Sequence, residues 1–138
     1  MREILFKAKR TDNGEWVEGL PTIMWEQPHI MPMDNENTAY QYDPETLCQF
    51  TGLLDKNGKR IWENDIIKYH FGEFYAAIKY GVYQSCFDST HTSHCGFFVD
   101  WKETRNLRKD LGYWISMVNA GVVGNIFDNL ELLATEQN

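Results

Sequence analysis

Four residues of zinc-ligand type, Cys86, His91, His94 and Cys95, fall within ten positions as C-x4-H-x2-H-C. Zinc takes tetrahedral nitrogen and sulfur ligands, so thiolate with imidazole is the chemistry this set could supply. The spacing argues against it: paired ligands usually read C-x2-4-C or H-x3-5-H, and adjacent His94 and Cys95 on a strand point to opposite faces. The same cluster offers a cysteine nucleophile beside a histidine base, but the sequence supplies no oxyanion element and no third, orienting group. Glu63 with Asp65, and Asp88 with Asp100, are carboxylate pairs of the kind used in general acid–base work. Their turn and strand contexts account for them. There is no G-x-x-x-x-G-K-[ST] loop and no dinucleotide fingerprint. The expectation is a chain without catalytic residue, bound metal or cofactor, in which residues 86–95 are a polar loop between strands.

The densest basic run is "KETRNLRK", with Lys102, Arg105, Arg108 and Lys109 against Glu103, close in sequence to Trp101 and Trp114. Cations with neighbouring rings can hold phosphates and stack bases, the chemistry of a single-strand binder. The chain carries a net charge of −7, however, so four cations make little field, and a solvated loop is the favoured account.

The elements must come from 138 residues, of which 43% are hydrophobic and 14% aromatic. That composition folds, and its core should be rich in rings. No apolar run is long enough to span a membrane, and "MREILFKAKR" lacks the pattern of a secretory leader, so a cytoplasmic protein is expected. Three cysteines, Cys48, Cys86 and Cys95, make no disulfide framework and are expected as free thiols.

Asn13-Gly14 is the dipeptide a two-residue type I′ turn favours, so residues 2–10 and 15–20 should pair; Asn57-Gly58 repeats the signal between 53–56 and 59–62. Pro21, Pro28 and Pro32 make residues 21–37 read as a loop with a short extended piece at 23–25. Asp43 and Pro44 should open one helical turn. "ENDII" launches a strand from 66 to 71, and "FYAAIKYGVY" alternates with period two, with Gly81 read as a bulge. "GFFVDWK", "GYWISMV" and "GVVGNIF" read as further strands, followed by a short helix capped by Asp128. Short strands without long helical periods between them predict antiparallel sheets curled into a small barrel or sandwich.

Three linked blocks carry a family resemblance: "MREILFKAKRTDNGEWVEG", "DPETLCQFTGLLDKNGKRIWENDII" and "VVGNIFDNLELL". In this order and at these distances they resemble the YopX family of bacteriophage and prophage proteins. Thr51, Gly52, Leu53, Asp55, Gly58, Ile61, Glu63, Asp65 and Ile66 occupy the matching places of its central motif. Asn64 stands where the family commonly has glycine, and the proline-rich 21–37 segment also departs. The resemblance implies a mainly β protein with a small SH3-like barrel, made inside a bacterial host, and it implies no catalytic or binding residue. The domain expected is a single one over 1–138, with an N-terminal hairpin part (1–42) and a barrel (43–138). With rings in surplus and sheet edges to cover, the favoured reading is a non-enzymatic module that self-associates or binds an unknown phage or host protein. A nucleic-acid-binding accessory protein using residues 102–109 is the alternative. No membrane partner is expected.

Overall fold

The structure is a computed structural model and describes residues 3–35, 37–69, 74–84, 93–101, 109–116, 118 and 120–134. The strands are β1 (Phe6–Lys9), β2 (Trp16–Met24), β3 (Gln27–Pro32), β4 (Tyr40–Gln41), β5 (Cys48–Leu54), β6 (Arg60–Trp62), β7 (Asp65–Tyr69), β8 (Phe74–Tyr83), β9 (His94–Asp100) and β10 (Val122–Asn125). A 3-10 turn (Pro44–Thr46), helix α1 (Leu111–Ser116) and helix α2 (Glu131–Ala134) complete the elements. The chain is therefore mainly β, as expected, with two antiparallel sheets ordered β4-β3-β2-β1-β5-β6 and β10-β7-β8-β9. Neither order closes on itself among the described residues. The chain divides into two compact units, residues 1–52 and 53–138.

In the first unit, β1 and β2 pair from Phe6↔Gly19 to Lys9↔Trp16. Their turn differs from the expected type I′: only Gly14 has a positive φ, and the Arg10 N–H donates to the Glu15 carbonyl across a four-residue loop. Asn13 contributes through its side chain instead, its Oδ1 accepting from the Glu15 N–H at 3.0 Å. Ala8, Ile30 and Tyr42 are buried together, with Val17, Tyr40 and Leu47 packed on them. Asp43 caps the 3-10 turn as predicted, accepting from the Glu45 N–H at 3.1 Å.

The loop expected over 21–37 is instead the second half of β2 and all of β3, paired from Gly19↔Pro32 to Met24↔Gln27. The prolines mislead because antiparallel pairs alternate between those that exchange hydrogen bonds and those that do not. Met24↔Gln27 closes the turn, so counting back puts Pro28, Pro21 and Pro32 on the pairs that exchange none. A missing N–H costs no β2–β3 hydrogen bond there. The turn itself is the type I′ geometry, carried without glycine by Trp25 (φ 50) and Glu26 (φ 63). Gly19 is needed for another reason: a Cβ there would sit 2.0 Å from the Met31 carbonyl oxygen.

In the second unit the 53–62 hairpin forms, and again only the glycine, Gly58, takes a positive φ. Ile61, Ile67, Ala76, Ile78, Val99, Trp101, Leu111, Trp114, Ile115 and Ala120 form its core, with the Trp101 and Trp114 rings 5.0 Å apart. Gly81 is no bulge, because β8 and β9 run in unbroken register through Gly81↔Gly96; the register shift lies in β10, between Val122 and Gly124. The strand expected over 112–118 is helix α1. Leu111, Trp114 and Ile115 are its buried residues, and their i, i+3, i+4 spacing is the helical period that a period-two reading of Tyr113 and Ile115 overlooked. Helix α2 begins at Glu131, later than a cap at Asp128 would start it.

Candidate functional site

The central sequence block builds a turn around Asp55. Asp55 is buried, and its Oδ1 accepts from the N–H groups of Asn57 and Lys59, both at 2.9 Å. Its Oδ2 accepts from the Val122 N–H at 3.4 Å, tying the turn to β10. Burial works to raise the Asp55 carboxyl, but the amides of Lys59, Asn57 and Val122, with the Lys59 charge, outweigh it and hold the pKa below the usual carboxylate value. Asp65 is buried as well and accepts from the Trp62 N–H at 2.9 Å. Asn64, at φ 72, occupies the left-handed region, which explains glycine as its counterpart in the family. Its N–H donates to the Ile78 carbonyl and its carbonyl accepts from the Ile126 N–H.

Cys86, Asp88 and His91 lie outside the described residues. His94 and Cys95 are on β9, opposite Tyr83 and Val82 respectively, and so on opposite faces of the ribbon. The His94 ring lies 5.4 Å from the Tyr83 ring, whereas the Cys95 Sγ is 3.9 Å from the Tyr80 hydroxyl. No group of three or more His, Cys, Asp or Glu that could hold a metal occurs among the described residues. Lys102, Glu103, Arg105 and Arg108 also lie outside them, while Lys109 is half-buried and its carbonyl accepts from the Val99 N–H at 2.9 Å. Trp101 and Trp114, the rings that were to stack bases beside these cations, are core residues at 2% exposure. They are closed to a nucleic acid in this fold.

The surface that sequence reasoning missed is the β2–β3 hairpin. Trp25 at its tip is 82% exposed and Ile23 is 76% exposed, with Leu20 and Met33 also open to solvent. The Trp25 ring meets His29 edge-on at 6.0 Å, which turns it toward one face of the hairpin; Ile23, paired with Pro28, lies on the other. Between Leu20 and Met33 the only charged side chain is Glu26. The signal was present as "LPTIMWEQPHIMPM", a charge-poor run in a chain that is 24% charged, but its prolines concealed the strands. In the second unit Tyr80 and Val82 are likewise exposed on β8, on the face that continues from the buried Ile78.

Next to the turn end of the hairpin a cleft of about 520 Å3 is lined by Lys9, Arg10, Pro28, Tyr42, Asp43 and Pro44 among others. Arg10 donates from Nε and Nη2 to the two Asp12 carboxylate oxygens, at 2.9 and 2.6 Å, and lies 3.9 Å over the Tyr40 ring. The hydrogen bond with Asp12, ahead of the charge, holds the guanidinium further above its ordinary value and Asp12 below its own.

A family model described as YopX protein matches residues 6–134. No match was found among the curated proteins. Among solved structures the chain is similar to protein EF1440 from Enterococcus faecalis, with 22% identity over 96% of this chain and 99% of that one and a TM-score of 0.58. At that identity the likeness speaks for the fold alone. With the three sequence blocks and a family match from β1 into α2, the chain belongs to the YopX family.

Proposed function

We propose that the chain is a phage- or prophage-encoded, non-enzymatic module that works in the bacterial cytoplasm through protein contacts, chiefly by associating with copies of itself. The observation that carries this is the exposure of Ile23 and Trp25 at the end of a charge-poor hairpin. Large apolar side chains held in water on a formed strand pair mark a surface that is covered in use. The most conspicuous polar cluster, around Asp55, is taken up by backbone amides, which agrees with a module that performs no chemistry. The small-barrel shape of SH3 type that the family suggests belongs to this proposal, in keeping with the short antiparallel strands packed round one core in the second unit.

Native mass spectrometry of untagged protein purified from bacterial cells tests the reading. A defined oligomer of bare chains is expected. A monomer at high concentration, or a mass carrying stoichiometric zinc or nucleic acid, would overturn it.

A further inference from the structure

We propose that the cleft beside the hairpin turn is a binding site for a small neutral polyhydroxy compound, a sugar ring or a polyol, held by the Tyr42 hydroxyl, the Gln27 and Gln41 amides and the Asp43 carboxylate.

Tyr42 is the residue that points to a ligand. It is 7% exposed, and its hydroxyl makes no hydrogen bond to protein among the described residues. Buried hydroxyls are normally paired, and one without a protein partner at the wall of a cavity calls for a partner from the cavity. Burial pushes the group above the ordinary tyrosine value, so it stays protonated and can both donate and accept. The cleft that Tyr42 lines, about 520 Å3, falls within the size range of small-molecule sites.

The wall is formed before any ligand arrives. Tyr42 bridges to Arg10, and its N–H donates to the Pro28 carbonyl at 3.4 Å. The Asp43 N–H donates to the Lys9 carbonyl and the Thr11 N–H to the Gln41 carbonyl, both at 3.0 Å. These bonds fix residues 41–43 between β3 and the end of β1, so binding has little chain left to order. Hydrogen-bonding capacity remains on the side chains. Gln41 Nε2 donates to Gln27 Oε1 at 3.4 Å, which leaves an amide N–H2 on Gln27 and an amide oxygen on Gln41. Asp43 Oδ1 accepts from the Glu45 N–H, while its Oδ2 makes no hydrogen bond to protein among the described residues. Donors and acceptors are thus both on offer, which suits hydroxyl groups, since each gives one hydrogen bond and takes others.

Charge sets aside the ionic alternatives. Arg10 is held by both Asp12 oxygens, at 2.9 and 2.6 Å, so its guanidinium is already neutralised. Asp43 repels an anion, and it does so in a unit with nine Asp and Glu against four Lys and Arg. A cation meets Lys9 and Arg10 in the same wall. A neutral ligand meets neither repulsion.

The test titrates the full chain, labelled with 15N, with glucose, N-acetylglucosamine and glycerol and follows the amide shifts. The Thr11, Gly14, Gln41 and Asp43 amides should move and saturate for at least one of the three, with a Kd below about 10 mM. Tyr42→Phe removes a hydroxyl that the fold does not use, so the melting temperature should hold while affinity falls at least about 5-fold. Asp43→Asn keeps the cap of the 3-10 turn and should weaken binding by a similar factor. Absence of a saturable shift with all three compounds overturns the site. A Tyr42→Phe variant that binds like the parent, or that melts lower, overturns the role given to the hydroxyl. Tighter binding of putrescine or inorganic phosphate at the same amides overturns the neutral class of ligand.

Discussion

Asp55 shows how backbone amides hold a buried carboxylate in a turn. Each carboxylate oxygen has backbone N–H donors, and the depressed pKa follows from them. A carboxyl whose folded pKa lies below its unfolded value adds stability above the unfolded pKa, near 4, and that stability is lost as pH falls through the folded pKa. Asp55→Ala should destabilise by about 2–3 kcal/mol at pH 7 and Asp55→Asn, which keeps one acceptor, by about 1 kcal/mol. In urea unfolding followed against pH, the gap between the parent and Asp55→Asn should close below about pH 4. Asn64 makes a different case: its backbone suits glycine, while its side-chain Oδ1 accepts from the Lys79 ammonium at 3.2 Å. Its φ of 72 predicts that Asn64→Gly is neutral or slightly stabilising and Asn64→Val costs about 1–2 kcal/mol, as read from urea midpoints.

At the scale of elements, register decides what local signals cannot. Prolines that break a strand in most contexts fit β2 and β3 because all three fall on pairs that exchange no hydrogen bonds. Gly19 is held to glycine by the same pairing, since a Cβ would collide with backbone across the strands. Gly19→Ala should part β2 from β3 and cost about 2–3 kcal/mol, seen as a lower melting temperature together with faster amide exchange along the hairpin. Both Asn-Gly turns form, but with loop lengths set by the strand ends they join, so only the glycine of each enters the left-handed region.

Across the whole molecule, rings and charge are sorted by tertiary packing. Trp62, Trp101 and Trp114 are buried, Trp16 is half-buried with the Lys7 ammonium 4.5 Å over its ring, and Trp25 stands in water. Trp114→Ala should cost about 3–5 kcal/mol and collapse the near-UV circular dichroism of the second unit's core, because Trp101, Ile115 and Leu111 pack around it. Trp25→Ala should leave that spectrum almost unchanged.

The sequence by itself determined the mainly β class, the β1–β2 and 53–62 hairpins, the Asp43 cap and the family. Each of these is written in short-range terms: a turn dipeptide, a capping residue, a period of two, an ordered set of motifs. Only the tertiary structure decided that residues 21–32 pair, that Leu111 to Ser116 coil, and that Trp25 rather than Trp101 or Trp114 faces water. Those outcomes depend on which backbone groups an opposing strand must meet and on which side chains the core has room to bury, and neither is set by a residue's neighbours in the chain.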